Sequence, residues 1–187
     1  MGTSRNDRSP SSPPWRPVAA VLGRKDIPTQ RQTQELWLAA FADRGERLIG
    51  DFSKPAMVDL LAVAAANPTP QAAMRAFDDV VAKHEDAGLA LDFARRALVR
   101  NAAAKGGAAG FASELFCEAS GYYASRDLPS YIGAEGRIAN AAGAIELKNE
   151  IRAATQQVVA RVEAPKADRS SWQRYVTAVI DQLRGTR

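Results

Sequence analysis

Residues 67–84 read Asn-Pro-Thr-Pro-Gln-Ala-Ala-Met-Arg-Ala-Phe-Asp-Asp-Val-Val-Ala-Lys-His. Asn67-Pro68 breaks the chain, because proline has no backbone donor and restricts the residue before it. Thr69 offers a side-chain oxygen to the first free N–H groups of a helix, and Pro70 takes the first helical position, where its missing donor costs nothing. Ala73, Met74, Phe77, Val80, Val81 and His84 then recur at spacings of three and four, which places them on one face of an amphipathic helix. The same grammar of cap, apolar stripe and stop extends in both directions, so the fold is expected to be all-α.

Toward the C-terminus, Gly88 is expected to end or kink this helix. The next runs from Leu89 to about Ala104 and stops at Gly106-Gly107. A further helix covers about Ala108 to Ala124, with Phe111, Leu115, Ala119 and Tyr122 facing inward. A long one spans about Glu135 to Val162, with Ile151, Ala154, Val158 and Val162 on one face and Pro165 closing it. The last runs from Trp172 to Leu183. Toward the N-terminus, Ser53 and Pro55 open a helix with Met57, Leu60, Leu61 and Ala64 on its apolar face. Before it, Thr29 caps a helix reaching about Arg44 that carries Leu36, Trp37, Ala40 and Phe41, with Gly45 as its stop. No stretch alternates with the period of a strand. The expected architecture is one compact bundle of six to eight helices over residues 29–187, burying Trp37, Phe41, Leu60, Leu61, Phe77, Val80, Phe111, Leu115, Ile145 and Trp172.

Residues 1–28 read differently. Pro10, Pro13, Pro14, Pro17 and Pro28 stand among serines, and Arg5, Arg8, Arg16, Arg24 and Lys25 face only Asp7 and Asp26. So few apolar side chains cannot offset the entropy of ordering, and a disordered basic arm is expected. No apolar run is long enough for a membrane helix and no apolar signal segment opens the chain. With one cysteine, this suggests a reducing, cytoplasmic setting.

Chemistry is scarce. The chain of 187 residues has one histidine and one cysteine, so neither a disulfide nor a Cys/His zinc site can be assembled within it. His84 lies at a helix end beside Glu85 and Asp86 and reads as structural. Cys117 sits between Glu114 and Glu118, which raise rather than lower a thiol pKa, and reads as inert. Asp78-Asp79 and Glu85-Asp86 diverge around a helix and do not converge on a metal. Gly106-Gly107-Ala108-Ala109-Gly110 lacks the strand and the Gly-Lys-Ser/Thr ending of a phosphate loop. Nothing here calls for a cofactor.

Two stretches suggest contact instead. Arg95, Arg96, Arg100 and Lys105 follow one another without an intervening carboxylate, and Arg96 and Arg100 share a helix face at a spacing suited to phosphates. Arg75 and Lys83 extend this basic surface. A net charge of +4 permits nucleic-acid binding without demanding it. The second stretch, Gly121 to Ile145, crowds Tyr122, Tyr123 and Tyr131 around Pro129 among small residues, a composition suited to a partner interface.

The spacing of Tyr123, Pro129, Ile132 and Gly136, followed by Ile138, Ala141 and Ala142 and by a closing helix near Trp172, resembles the small helical subunits of type III, Cmr-type CRISPR complexes over about a third of the chain. It departs from that pattern at Arg137, where the family has leucine. The resemblance implies a non-catalytic subunit that stacks in a filament and lines a nucleic-acid groove with basic residues. Two function classes follow. One is a non-enzymatic binding module or assembly subunit that contacts a protein partner, or itself, and an RNA or DNA backbone. The other is a small helical enzyme acting on a phosphorylated molecule through Glu114, Glu118, Arg96 and Arg100. A deep pocket joining those four side chains favours the enzyme, and a basic groove favours the module.

Overall fold

The computed structural model describes residues 30–128, 138 and 140–185. The N-terminal arm, Tyr131 and most of the segment linking the two longest helices lie outside the described residues. Among the described residues there are eight helices and no β-strand: α1 (Gln30–Ala42), α2 (Gly45–Phe52), α3 (Pro55–Ala65), α4 (Pro70–His84), α5 (Leu89–Ala104), α6 (Gly107–Asp127), α7 (Ala141–Val159) and α8 (Arg169–Gly185). None of these helices is long and apolar enough to cross a membrane.

Helix α6 forms the centre. Its buried residues run around most of its circumference, from Phe111, Leu115 and Phe116 to Cys117, Gly121 and Tyr123, as expected for a helix enclosed on several sides. It packs against α5 on one flank, α7 on the other and α3 behind, while α8 closes the far side against α1, α2 and α7. Trp172 on α8 is fully buried, and its indole N–H donates to the Phe52 carbonyl at 2.6 Å, which satisfies its polar edge in the core.

Local signals explain most boundaries. The Thr69 hydroxyl accepts from the Ala72 N–H at 3.2 Å with Pro70 directly behind it, as the sequence implies. Helix α4 ends at His84 through Glu85 in the left-handed region, not at Gly88 as expected; Gly88, at φ +145°, instead sits just ahead of α5. Helix α5 has the expected bounds. Helix α8 begins three residues before Trp172, because Asp168 Oδ1 accepts from the Ser171 N–H at 2.8 Å and caps it. Helix α7 is shorter than the pattern implies, starting behind an Asn140 cap and ending at Val159.

Two further expectations are corrected. Gly45 does not stop α1; it opens α2, whose buried face is Gly45, Leu48 and Phe52. Its lack of a side chain admits Ile180 and the Arg184 guanidinium of α8, the latter 2.9 Å from where a Cβ would stand. This glycine serves a close approach, not a termination. Ile145 is not buried but 57% exposed. The inward stripe of α7 is Ala144, Leu147, Ile151, Thr155 and Val158, and at about 100° per residue Ile145 falls outside it. The other nine residues expected in the core are all buried.

The glycines at the α5–α6 corner serve packing. The Asn101 amide donates to the Gly107 carbonyl at 2.9 Å, and its oxygen lies where a Cβ on Gly106 or Gly110 would be. Gly107 adopts φ +61° and donates its N–H to Asn67 Oδ1 at 2.9 Å. The glycine run thus builds a tight helix corner.

Candidate functional site

Because α6 is flanked by α5 and α7, side chains on those two helices face each other across it. They enclose an open groove of about 520 Å³, lined by Arg96 and Arg100 from α5, by Glu118, Gly121, Tyr122 and Ser125 from α6, and by Lys148, Asn149 and Arg152 from α7. Each wall contributes two cations spaced four residues apart, which places them on one helix face.

A buried carboxylate organises the floor. Glu118 is 5% exposed. Arg100 Nη1 reaches its Oε1 at 3.1 Å from one wall, and Arg152 Nη1 reaches the same oxygen at 3.1 Å from the other. The two guanidinium groups are therefore gathered over one atom. Arg152 also donates to the Cys117 carbonyl at 3.0 Å and pairs with Glu114 at 3.5 Å. Its stem lies along Gly121, where a Cβ would meet Arg152 atoms at 3.1–3.3 Å, so this glycine makes room for the arginine. Arg96 and Lys148 form no ion pair among the described residues. Four cations against Glu114 and Glu118 leave the groove with a surplus of two positive charges.

No protein family, curated protein or solved structure matches this chain. The site therefore rests on its own geometry.

The structure divides the basic run. Arg96 and Arg100 line the groove. Arg95 points to a second cleft, of about 430 Å³, on the other side of α5, where it meets Met74, Asp92 and Val99. Lys105 is exposed and forms the left-handed cap of α5, at φ +54°, outside both clefts. Lys83 is not part of this surface; its ammonium pairs with Asp59 at 2.7 Å. Lys148 and Arg152 were missed by the sequence reading. Their four-residue spacing was visible, but Glu146 and Glu150 alternate with them and disguise the cationic face.

The tyrosines separate as well. Tyr122 is half-buried at the groove edge, its ring 5.3 Å from Phe93 and 5.4 Å from Tyr123. Tyr123 belongs to the core, with the Arg44 and Arg126 guanidinium groups 4.3 and 5.1 Å from its ring centre. Asp127 holds both arginines. This arrangement fixes the end of α6 against the α1–α2 junction, where Arg44 lies, through a cation–π contact.

His84 and Cys117 stand apart from one another in chemistry and place. His84 Nε2 lies 2.8 Å from Asp59 Oδ2 and ties α4 to α3, rather than meeting the last carbonyls of its own helix. The Cys117 thiol is buried, and burial, reinforced by Glu114 and Glu118 against an opposing effect of Arg152, pushes its pKa up to about 11. Among the described residues no three His, Cys, Asp or Glu side chains gather as metal ligands.

Proposed function

We propose that this chain is a non-enzymatic helical binding module, or an assembly subunit, whose groove over α6 receives the phosphates of a nucleic-acid backbone. The observation that carries this reading is the convergence of Arg96, Arg100, Lys148 and Arg152 from two helices onto one open groove with a surplus of positive charge. Guanidinium groups held in place by a carboxylate lose little freedom when they meet a phosphate, and their forked donors match its oxygens. Glu118 does meet Arg100 at the groove floor, as an enzyme would require, whereas Glu114 pairs with Arg152 and does not line the groove. Both carboxylates are occupied by arginine, however, which suits them to hold guanidinium groups rather than to exchange protons with a substrate.

The assembly part of the reading is supported by Ile145, which shares an exposed face of α7 with Ala141 and Ala142. Small apolar residues around one larger one suit contact with a protein or a second copy. A groove-lining subunit of an RNA-guided complex of the Cmr kind is the assembly that the sequence resemblance suggests.

Binding of a labelled oligonucleotide, followed by fluorescence anisotropy from low to moderate salt, tests the groove. Arg96→Ala with Lys148→Ala is the informative variant, since among the described residues neither side chain supports the fold through an ion pair. Affinity should fall, and the slope of log affinity against log salt should flatten by about 0.7–0.9 for each phosphate contact removed. Identical titrations for wild type and variant, or binding indifferent to salt, would show that the groove does not hold phosphate.

A further inference from the structure

The basic surface does not end at the wall of the groove. Arg96 and Arg100 line both the groove over α6 and the second cleft between α4 and α5, so they form a cationic crest with a hollow on either side. The hollows differ in chemistry. The first presents Tyr122, Ser125, Lys148 and Asn149. The second presents half-buried Met74 and Val99, with Arg95 at its rim and Asp92 as its carboxylate.

We infer that the two clefts are one site, and that a single strand of nucleic acid crosses α5 between them. Its phosphates rest on Arg96 and Arg100, and its unpaired bases lie against Tyr122 on one side and Met74 and Val99 on the other. This inference rests on the phosphate-binding reading of the groove and adds the form of the ligand. A small phosphorylated molecule would fill one hollow and leave the other idle. A chain uses both, because the charges that hold it stand on the shared crest.

The Tyr122 ring flanks the crest on one side and Met74 and Val99 flank it on the other, which suits a ligand whose planar groups are free to turn outward from its phosphates. The Tyr122 ring is braced by Phe93 and Tyr123, so a base stacking on it immobilises little that was mobile. Aromatic stacking contributes about 1–3 kcal/mol per base, and thioethers also make favourable contacts with aromatic rings. A duplex keeps its bases stacked inside and resists sharp bending over a ridge about 10–12 Å wide. A single strand does neither.

Arg95 and Lys148 separate this inference from its parent reading, because Arg95 lines only the second cleft and Lys148 only the first. Neither makes an ion pair among the described residues, so their replacement leaves the fold's contacts in place, and thermal unfolding of each variant checks this. The probes are fluorescein-labelled oligothymidylates of about 3 and about 12 nucleotides and a duplex of about 12 base pairs, titrated with the full chain at low salt. The longer strand should bind about tenfold more tightly than either the short strand or the duplex. Arg95→Glu should weaken the longer strand about five- to tenfold and leave the short one within about twofold, whereas Lys148→Glu should weaken both. Equal affinity for the two strand lengths, a duplex bound as tightly as the single strand, or an Arg95→Glu variant indistinguishable from wild type would overturn the crossing and leave the groove reading intact. Failure of every probe to bind would overturn both.

Discussion

Replacing Gly110 by alanine should destabilise this protein, although the same change in most helices is favourable. Gly110 lies in the first turns of α6, where alanine would ordinarily gain about 0.5–1 kcal/mol through lower backbone entropy in the unfolded chain. Here the added Cβ would overlap Asn101 Oδ1, an oxygen already pressed against Gly106. The Asn101 side chain has little room to retreat, being 2% exposed and bonded through Nδ2 to the Gly107 carbonyl at 2.9 Å. Overpacking of this kind costs about 1–3 kcal/mol, so the net loss should be about 1–2 kcal/mol. Asn101→Ala removes the obstacle together with its hydrogen bond, at a cost of about 1–2 kcal/mol. On that background Gly110→Ala should turn stabilising by about 0.5–1 kcal/mol, which implies a coupling of about 2 kcal/mol between the two positions. Urea unfolding of wild type, both single variants and the double variant, followed by far-ultraviolet circular dichroism, supplies the cycle. A stabilised Gly110→Ala single variant, or additive effects of the two changes, would refute the packing argument.

Two further outcomes follow from titratable groups. Hydrogen bonds from Lys83 first, then His84, hold the Asp59 carboxyl below its ordinary value of 3.8. A lowered folded-state pKa contributes stability above the unfolded-state value and loses it as pH falls through the folded one. The difference in thermal midpoint between wild type and Asp59→Asn should therefore be present at about pH 6 and vanish near about pH 2; a difference that does not change with pH would contradict the assignment. Cys117, with its pKa pushed up to about 11 mainly by burial, should react with iodoacetamide at pH near 8 only as fast as the protein opens, and rapidly in denaturant. Prompt labelling of the folded chain would show that the thiol is neither buried nor protonated as described.

The helices were legible wherever a local rule set them. Thr69 and Pro70 start α4 by satisfying or removing donors within one turn, and α5 keeps the limits that Gly88 and the Gly106-Gly107 pair imply. Glycine misled where its reason was distant: Gly45 opens α2 because α8 needs its missing side chain, and nothing near it in the chain announces Ile180 or Arg184. Ile145 misled similarly. Its own helix offers several apolar residues, and only the positions of α1, α6 and α8 around α7 select which stripe turns inward.

The candidate site shows the same division. Sequence alone determined that the protein is helical, that Arg96 and Arg100 share a face, and that Cys117 sits among acids, because capping, periodicity and neighbouring charge all act within a few residues. Tertiary structure alone decided that Lys148 and Arg152 stand opposite them, that Glu118 gathers Arg100 and Arg152 over one oxygen, that Arg95 turns to another cleft, and that Tyr123 belongs to the core. Those around the groove join residues between 18 positions apart, for Arg100 and Glu118, and 52, for Arg100 and Arg152. They depend on which helix faces are buried together, a choice made by burial and close packing of the whole bundle rather than by any single segment.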